Sequence, residues 1–162
     1  TDTLLVIAPR HPARGEAVAA MLSGVNVARL AAAQPLTAQT TAYVADTLGE
    51  MGLLYSLADV VVMGGGFLPG IGGHNPLEPA RLERPILTGP HTFNATPLYS
   101  DLLADAAAIE AADSAALARH LKGLNDYPHI GRRMAEAALA YAQRQGGALD
   151  QAMALLEPLL PA

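Results

Sequence analysis

Cysteine is missing from all 162 residues, which excludes disulfides and thiolate metal sites and fits a reducing compartment. Aromatic residues supply only 4% of the chain and charged residues 15%, whereas apolar residues reach 51%. A chain this apolar is not disordered, and with so few rings its core must be built from Ala, Leu and Val. There is no basic run and the net charge is −5, so the electrostatic footprint of a nucleic-acid binder is lacking. No apolar stretch approaches the ~18 residues of a membrane span, and no signal peptide is visible; a soluble domain is expected. The five histidines show no metal-ligand spacing. Neither G-x-x-x-x-G-K-[ST] nor G-x-S-x-G occurs. The first strand candidate is followed by Pro9-Arg10-His11-Pro12 instead of G-x-G-x-x-G, which disfavours a dinucleotide oxidoreductase.

What is present centres on the stretch from Ala58 to Pro90. The apolar run Val60-Val61-Val62-Met63 reads as a core strand of a parallel sheet and leads into Gly64-Gly65-Gly66. Gly72-Gly73-His74-Asn75-Pro76-Leu77-Glu78 follows, and Asn75 before Pro76 reads as a helix start near Pro76, running to about Glu83. A strand, a glycine-rich loop and a helix N-terminus together form an anion site, with unpaired N–H groups aimed at the ligand. The geometry suggests a phosphate.

Along the rest of the chain, strands and helices alternate. Strands are expected at Leu4–Ala8, Asn26–Ala31, Tyr43–Ala45, Pro85–Thr88 and Ala106–Glu110. Helices are expected at Gly15–Leu22 with Val18, Met21 and Leu22 on one face, and after Glu50 with Met51, Leu54, Tyr55 and Ala58 as the buried stripe. A short helix at Pro97–Leu103 precedes three more. They are lined by Leu117, Leu121 and Leu124, by Ile130, Met134, Ala138 and Tyr141, and by Leu149, Ala152, Met153 and Leu156. This order predicts an α/β fold, a Rossmann-like doubly wound parallel sheet flanked by helices, as one domain over residues 1–162. The abrupt entry into the first strand suggests one half of something larger. Arg10, Asp46–Glu50, Gly64–Glu78 and Gly89–Asn94 each follow a strand's carboxyl end, where ligands of such sheets bind.

Each polar candidate has a structural and a functional reading. Glu78 sits where the third residue of a capping box with Asn75 would be, yet a carboxylate also suits two neighbouring sugar hydroxyls because both oxygens accept. The functional reading gains from six glycines between Gly64 and Gly73, which carry a large backbone entropy cost. Thr47-Leu48-Gly49-Glu50 is likewise a capping box, with Gly49 unfavourable in a first turn unless a flat ligand approaches closely. Arg10 is either an exposed turn residue or a charged fork for a phosphate or carboxylate. His74 donates to a loop carbonyl or to a phosphate oxygen, and His11 and His91 are weaker candidates. No general base is evident, so the chain looks like half of an active site.

Pro9-Arg10-His11-Pro12, Asp46-Thr47-Leu48-Gly49-Glu50, Leu54-Tyr55-Ser56-Leu57-Ala58-Asp59, Gly73-His74-Asn75-Pro76-Leu77-Glu78-Pro79-Ala80 and Gly89-Pro90-His91 recur in this order in one family. Together they resemble the C-terminal half of 3-deoxy-D-manno-octulosonic acid (Kdo) transferases. The resemblance implies the donor-binding half of a GT-B glycosyltransferase of lipopolysaccharide biosynthesis. Its donor would be CMP-Kdo and its acceptor a lipid A precursor, in an inverting transfer without metal or other cofactor. It implies that Arg10 binds the donor's phosphate or sugar carboxylate and that Glu78 holds the cytidine ribose. Gly65, Gly66, His74 and Asn75 would surround the phosphate, and Leu48 and Gly49 would lie against the base. The catalytic carboxylate and the membrane-associating part of the family belong to the other half, so no catalytic residue is expected here. The full protein would work at the cytoplasmic face of the bacterial inner membrane. The family usually has Gly-Gly-Ser at Gly64-Gly65-Gly66, Asn-Phe at Asn94-Ala95, and arginine and serine within Ala31-Ala32-Ala33-Gln34. The same fold with a UDP-linked donor, or an inactive nucleotide-binding module, are the alternatives.

Overall fold

Short runs of Leu, Val, Ile and Ala separated by turn residues give six short strands among the described residues, and every strand pairing there is parallel. This is a computed structural model, and it describes residues 3–147. The chain divides into two compact units, Thr1–Leu54 and Tyr55–Ala162. The expected parallel α/β organisation is present as one three-stranded sheet in each.

In the first unit, β1 (Leu5–Ile7), β2 (Val27–Arg29) and β3 (Ala42–Val44) pair in the order β1–β3–β2. The register sets Ile7 and Arg29 against Val44 on either side. Ala42 and Val44 are buried with Tyr43 half-exposed between them, the two-residue alternation of a strand with one covered face. Helix α1 (Gly15–Met21) packs against β2 and β3. Its buried residue is Gly15, whereas Met21 is 77% exposed, so the expected stripe of Val18, Met21 and Leu22 is not the covered face. Helix α2 (Met51–Leu57) also departs from expectation, because Met51 is exposed and Ala58 lies beyond the helix end. Tyr55 and Ala58 nevertheless pack on the core of the second unit, to which both belong.

In the second unit, β4 (Val61–Met63), β5 (Ile86–Thr88) and β6 (Ala108–Glu110) pair in sequence order. Helices α3 (Leu77–Arg81) and α4 (Thr96–Ala104) make the crossovers, followed by α5 (Ser114–Asp126) and α6 (Pro128–Gln145). β5 is the strand buried on both faces. Its Ile86 joins Ala80, Leu102, Ala138 and Tyr141 in the larger core, while the next residue, Leu87, joins Leu124 and Met134. β4 is not the fully buried strand its sequence suggested, since Val62 is exposed between buried Val61 and Met63. Burying a leucine- or isoleucine-sized side chain contributes ~2 kcal/mol, so Ile86, Leu87 and Leu102 anchor the unit. α5 starts on Asp113, whose carboxylate accepts the Ala116 amide at 2.7 Å, a side-chain cap. The expected helix through Leu149, Ala152, Met153 and Leu156 lies outside the described residues. No helix among the described residues is long and apolar enough to cross a membrane.

Candidate functional site

In the first unit, β1 and β3 are parallel neighbours, so the segments beginning at Arg10 and Asp46 leave the same edge of that sheet. Arg10 is exposed in the bend before a 3-10 turn at Pro12–Arg14, and makes no ion pair among the described residues. Leu48 is 81% exposed. Gly49 has φ +93 and open space where a Cβ would stand, so its backbone conformation already requires glycine. The expected capping box at Thr47–Glu50 is not formed. The Thr47 Oγ1 is buried without a hydrogen-bond partner among the described residues, because the chain turns sharply at Gly49 before α2 begins.

Asp46, not singled out by sequence reasoning, is the hinge of this segment. It is 3% exposed. Its Oδ1 accepts the Ala31 amide at 2.9 Å, and its Oδ2 accepts Arg29 Nε at 3.0 Å and the Arg29 terminal guanidinium nitrogen at 2.9 Å. Any side chain on Gly15 would collide with the Asp46 carboxyl group, which is why α1 opens on glycine. The Ala31 amide, and after it the Arg29 guanidinium, hold the Asp46 carboxyl below its ordinary range against the opposing effect of burial. The readable signal was an aspartate directly after an apolar strand, matched by an arginine closing the neighbouring one.

In the second unit, β4 and β5 are parallel neighbours, and the segments after them are sewn together. Gly64–Phe67 forms a 3-10 turn. A Cβ on Gly66 would stand 2.6 Å from Thr88 Oγ1 and 2.9 Å from the Gly89 amide nitrogen. The His91 amide donates to the Gly66 carbonyl at 2.9 Å, the Asn94 amide to the Gly72 carbonyl at 2.9 Å, and Asn94 Nδ2 to the Ile71 carbonyl at 2.7 Å. Gly70, Gly72 and Gly73 all have positive φ. Gly65, Gly66, Gly70, Gly72 and Gly73 are thus accounted for by close packing within the loops or left-handed backbone, whereas Gly64 has neither constraint. The His74 imidazole lies over Gly65, where a Cβ would strike its Nδ1 and Cε1.

The helix start is also revised. α3 is five residues long and ends at Arg81, short of the expected Glu83, so its macrodipole is slight. The cap is Pro76, not the expected Asn75, which stands one residue outside it with its Oδ1 accepting the Leu77 amide at 3.0 Å. Glu78 returns no bond, so the expected capping box is not formed. Its carboxylate is exposed and unpaired among the described residues, free to accept from a ligand. It lies close enough to Tyr55 that burial first, and the Glu78 charge second, push that phenol above its ordinary value. The structure therefore gathers Gly65, Gly66, His74, Asn75 and Glu78 on consecutive segments of one unit, and Arg10, Leu48 and Gly49 at one sheet edge of the other. A crevice lined by Asp105, Ala106, Ile130, Arg133, Met134 and Ala137 shares no residue with either group.

No family model matches the chain. It is 32% identical over 162 residues to the 3-deoxy-D-manno-octulosonic acid transferase of Haemophilus influenzae, covering 98% of this chain and 38% of that protein. It is 34% identical over 160 residues to the enzyme of the same name from Bordetella pertussis, covering 97% of this chain and 37% of that one. The chain thus spans little more than a third of the length of these curated relatives. Among solved structures it matches the C-terminal CMP-Kdo binding domain of WaaA from Acinetobacter baumannii, with a TM-score of 0.82 and 28% identity over 86% of this chain and 74% of that one. A TM-score that high means the same order of strands and helices, that of a Rossmann-like GT-B domain. The chain belongs to the 3-deoxy-D-manno-octulosonic acid transferase family.

Proposed function

We propose that this chain is the donor-binding part of a glycosyltransferase that moves Kdo from CMP-Kdo to a lipid A precursor. The observation that carries the reading is the match, over 86% of the chain, to a domain described as binding CMP-Kdo. The free carboxylate of Glu78 supports it, because an exposed acceptor pair at the edge of a glycine-rich loop suits a ribose diol. In this reading Glu78 holds the ribose, and Gly65, Gly66, His74 and Asn75 surround the phosphate. Arg10 takes the donor's phosphate or sugar carboxylate, and Leu48 and Gly49 contact the base. Both compact units serve the donor, as one nucleotide-sugar-binding domain. The acceptor and the general base belong to the part of the enzyme that the relatives carry beyond the matched stretch. The whole enzyme works at the cytoplasmic face of the bacterial inner membrane.

The chemistry follows from charge. As CMP departs, negative charge grows on its phosphate, and donors already placed around it stabilise that charge without having to reorganise. A single such donor in a dry cleft is worth ~3 kcal/mol of barrier. Arg10 adds a cation that stays protonated throughout. The test is an amide-resolved NMR titration of the chain with CMP, UMP and UDP in turn. Saturable shifts at Gly49, Gly65, His74 and Glu78, with CMP preferred, are expected. Preference for UDP would keep the fold and replace the donor, and silence with all the nucleotides would sink the reading.

A further inference from the structure

Tyr99 on α4 is 1% exposed and is the largest fully buried side chain among the described residues. Its hydroxyl donates to the His74 carbonyl at 2.7 Å. Its ring backs Gly73, where a Cβ would stand 3.3 Å from Tyr99 Cε2 and 3.6 Å from its hydroxyl oxygen. The Thr88 hydroxyl, at the end of β5, donates to the Gly89 carbonyl at 3.2 Å and lies close enough to the phenol to oppose the upward push of burial on it. Thr88 in turn presses on Gly66, and the His74 imidazole on Gly65. Gly65, His74, Tyr99, Thr88 and Gly66 therefore form a closed circuit of contacts that starts and ends on two consecutive glycines after β4. A phenylalanine would fill the same space at position 99. Only a tyrosine also fixes a main-chain carbonyl of the loop, and that carbonyl belongs to the residue whose imidazole covers Gly65.

We propose that Tyr99 is a positioning residue for the nucleotide's phosphate, its hydroxyl holding the His74 backbone so that the imidazole is set beside Gly65. This rests on the nucleotide-binding reading above and adds to it a residue that never touches the ligand. The consequence is selective. A loop loosened only at His74 weakens what holds the phosphate and leaves the contacts to base and ribose alone. A merely structural tyrosine would weaken every ligand alike.

The experiment compares the dissociation constants of CMP and of cytidine, by NMR titration, for the wild-type chain, Tyr99→Phe and Thr88→Val. Loss of one buried hydrogen bond to a neutral carbonyl corresponds to about a fivefold to tenfold change in affinity. Tyr99→Phe is expected to weaken CMP by that factor and to leave cytidine within about twofold. Thr88→Val should give a smaller loss with the same selectivity, and in a His74→Ala background Tyr99→Phe should change CMP no further. Equal loss of CMP and cytidine, or wild-type CMP binding in Tyr99→Phe, overturns the proposal. If Tyr99→Phe does not fold, Thr88→Val decides alone: a CMP-selective loss supports the proposal, while none or an unselective one overturns it. Failure of the wild type to bind CMP removes the nucleotide reading and this proposal with it. Wild-type binding with indifferent variants removes only the role of Tyr99.

Discussion

The two units secure their candidate residues by opposite means. In the first, the segment that presents Leu48 and Gly49 is tied down by charge, through a buried aspartate bridged to Arg29 and to the Ala31 amide. In the second, the segment that presents His74 and Glu78 is tied down by neutral hydrogen bonds from His91, Asn94 and Tyr99 and by glycines that leave no room for a Cβ. A charged tie gathered on one buried carboxylate fails as a whole when that carboxylate is lost, because every donor it held loses its acceptor together. A stitched loop distributes its hold, and each stitch is worth only ~1 kcal/mol. The comparison teaches that damage should spread differently in the two units.

The largest expected effect is therefore at Asp46. Asp46→Ala removes the acceptor of the Ala31 amide and of the partly exposed Arg29, which keeps Glu16 at 4.0 Å, and should cost the first unit ~3 kcal/mol. Amide hydrogen exchange, read residue by residue, should show lost protection across β1–β3 with β4–β6 retained. Equal loss in both units would break the contrast. Next is Gly66→Ala, which drives a methyl group against Thr88 and Gly89. Overpacking of this kind costs ~1–3 kcal/mol, and thermal unfolding should register it together with amide shifts at Gly89 and His91. Gly49→Ala should cost only ~1 kcal/mol, for a residue with a Cβ forced to positive φ in open space. A urea melt with unchanged slope would report it.

The smallest effect is that of acid. The Asp46 carboxyl titrates below its ordinary value of 3.8 in the folded chain, for the reasons given above. Its contribution is therefore complete above pH ~3.8 and is lost as pH falls through the lower, folded-state value. An acid titration followed by amide spectra should unravel the Arg29–Asp46 segment before the 64–76 loop, whose ties carry no charge. Simultaneous loss would show that charge is not what separates the units.

Much of this was legible in the sequence. The alternation of short apolar runs with helical periods gave the parallel α/β class, and Asn75 before Pro76 marked a real helix start. The glycines were found, but what packs against them was not. Their spacing cannot say whether a Cβ would meet a ligand or a neighbouring loop, since that loop lies more than fifteen residues away in sequence at Thr88–Asn94. The helical stripes at Met21 and Met51 failed because periodicity selects a face and does not say whether anything covers it. Glu78 and Thr47 fit the capping-box pattern by spacing alone, yet a box also needs a first turn whose N–H groups point at the side chain. Asp46, Arg29 and Tyr99 escaped notice because their partners come from other strands and helices, where no local pattern reaches.

One measurement bears most directly on the central claim that the second unit holds a cytidine nucleotide through Glu78. It is the CMP dissociation constant of the wild-type chain against Glu78→Ala, with thermal stability recorded on the same samples. An exposed, unpaired carboxylate should change stability by less than ~0.5 kcal/mol. Loss of a diol acceptor should weaken CMP about tenfold or more. That pair of results is the one the account predicts. Undiminished CMP binding by the folded variant would contradict it.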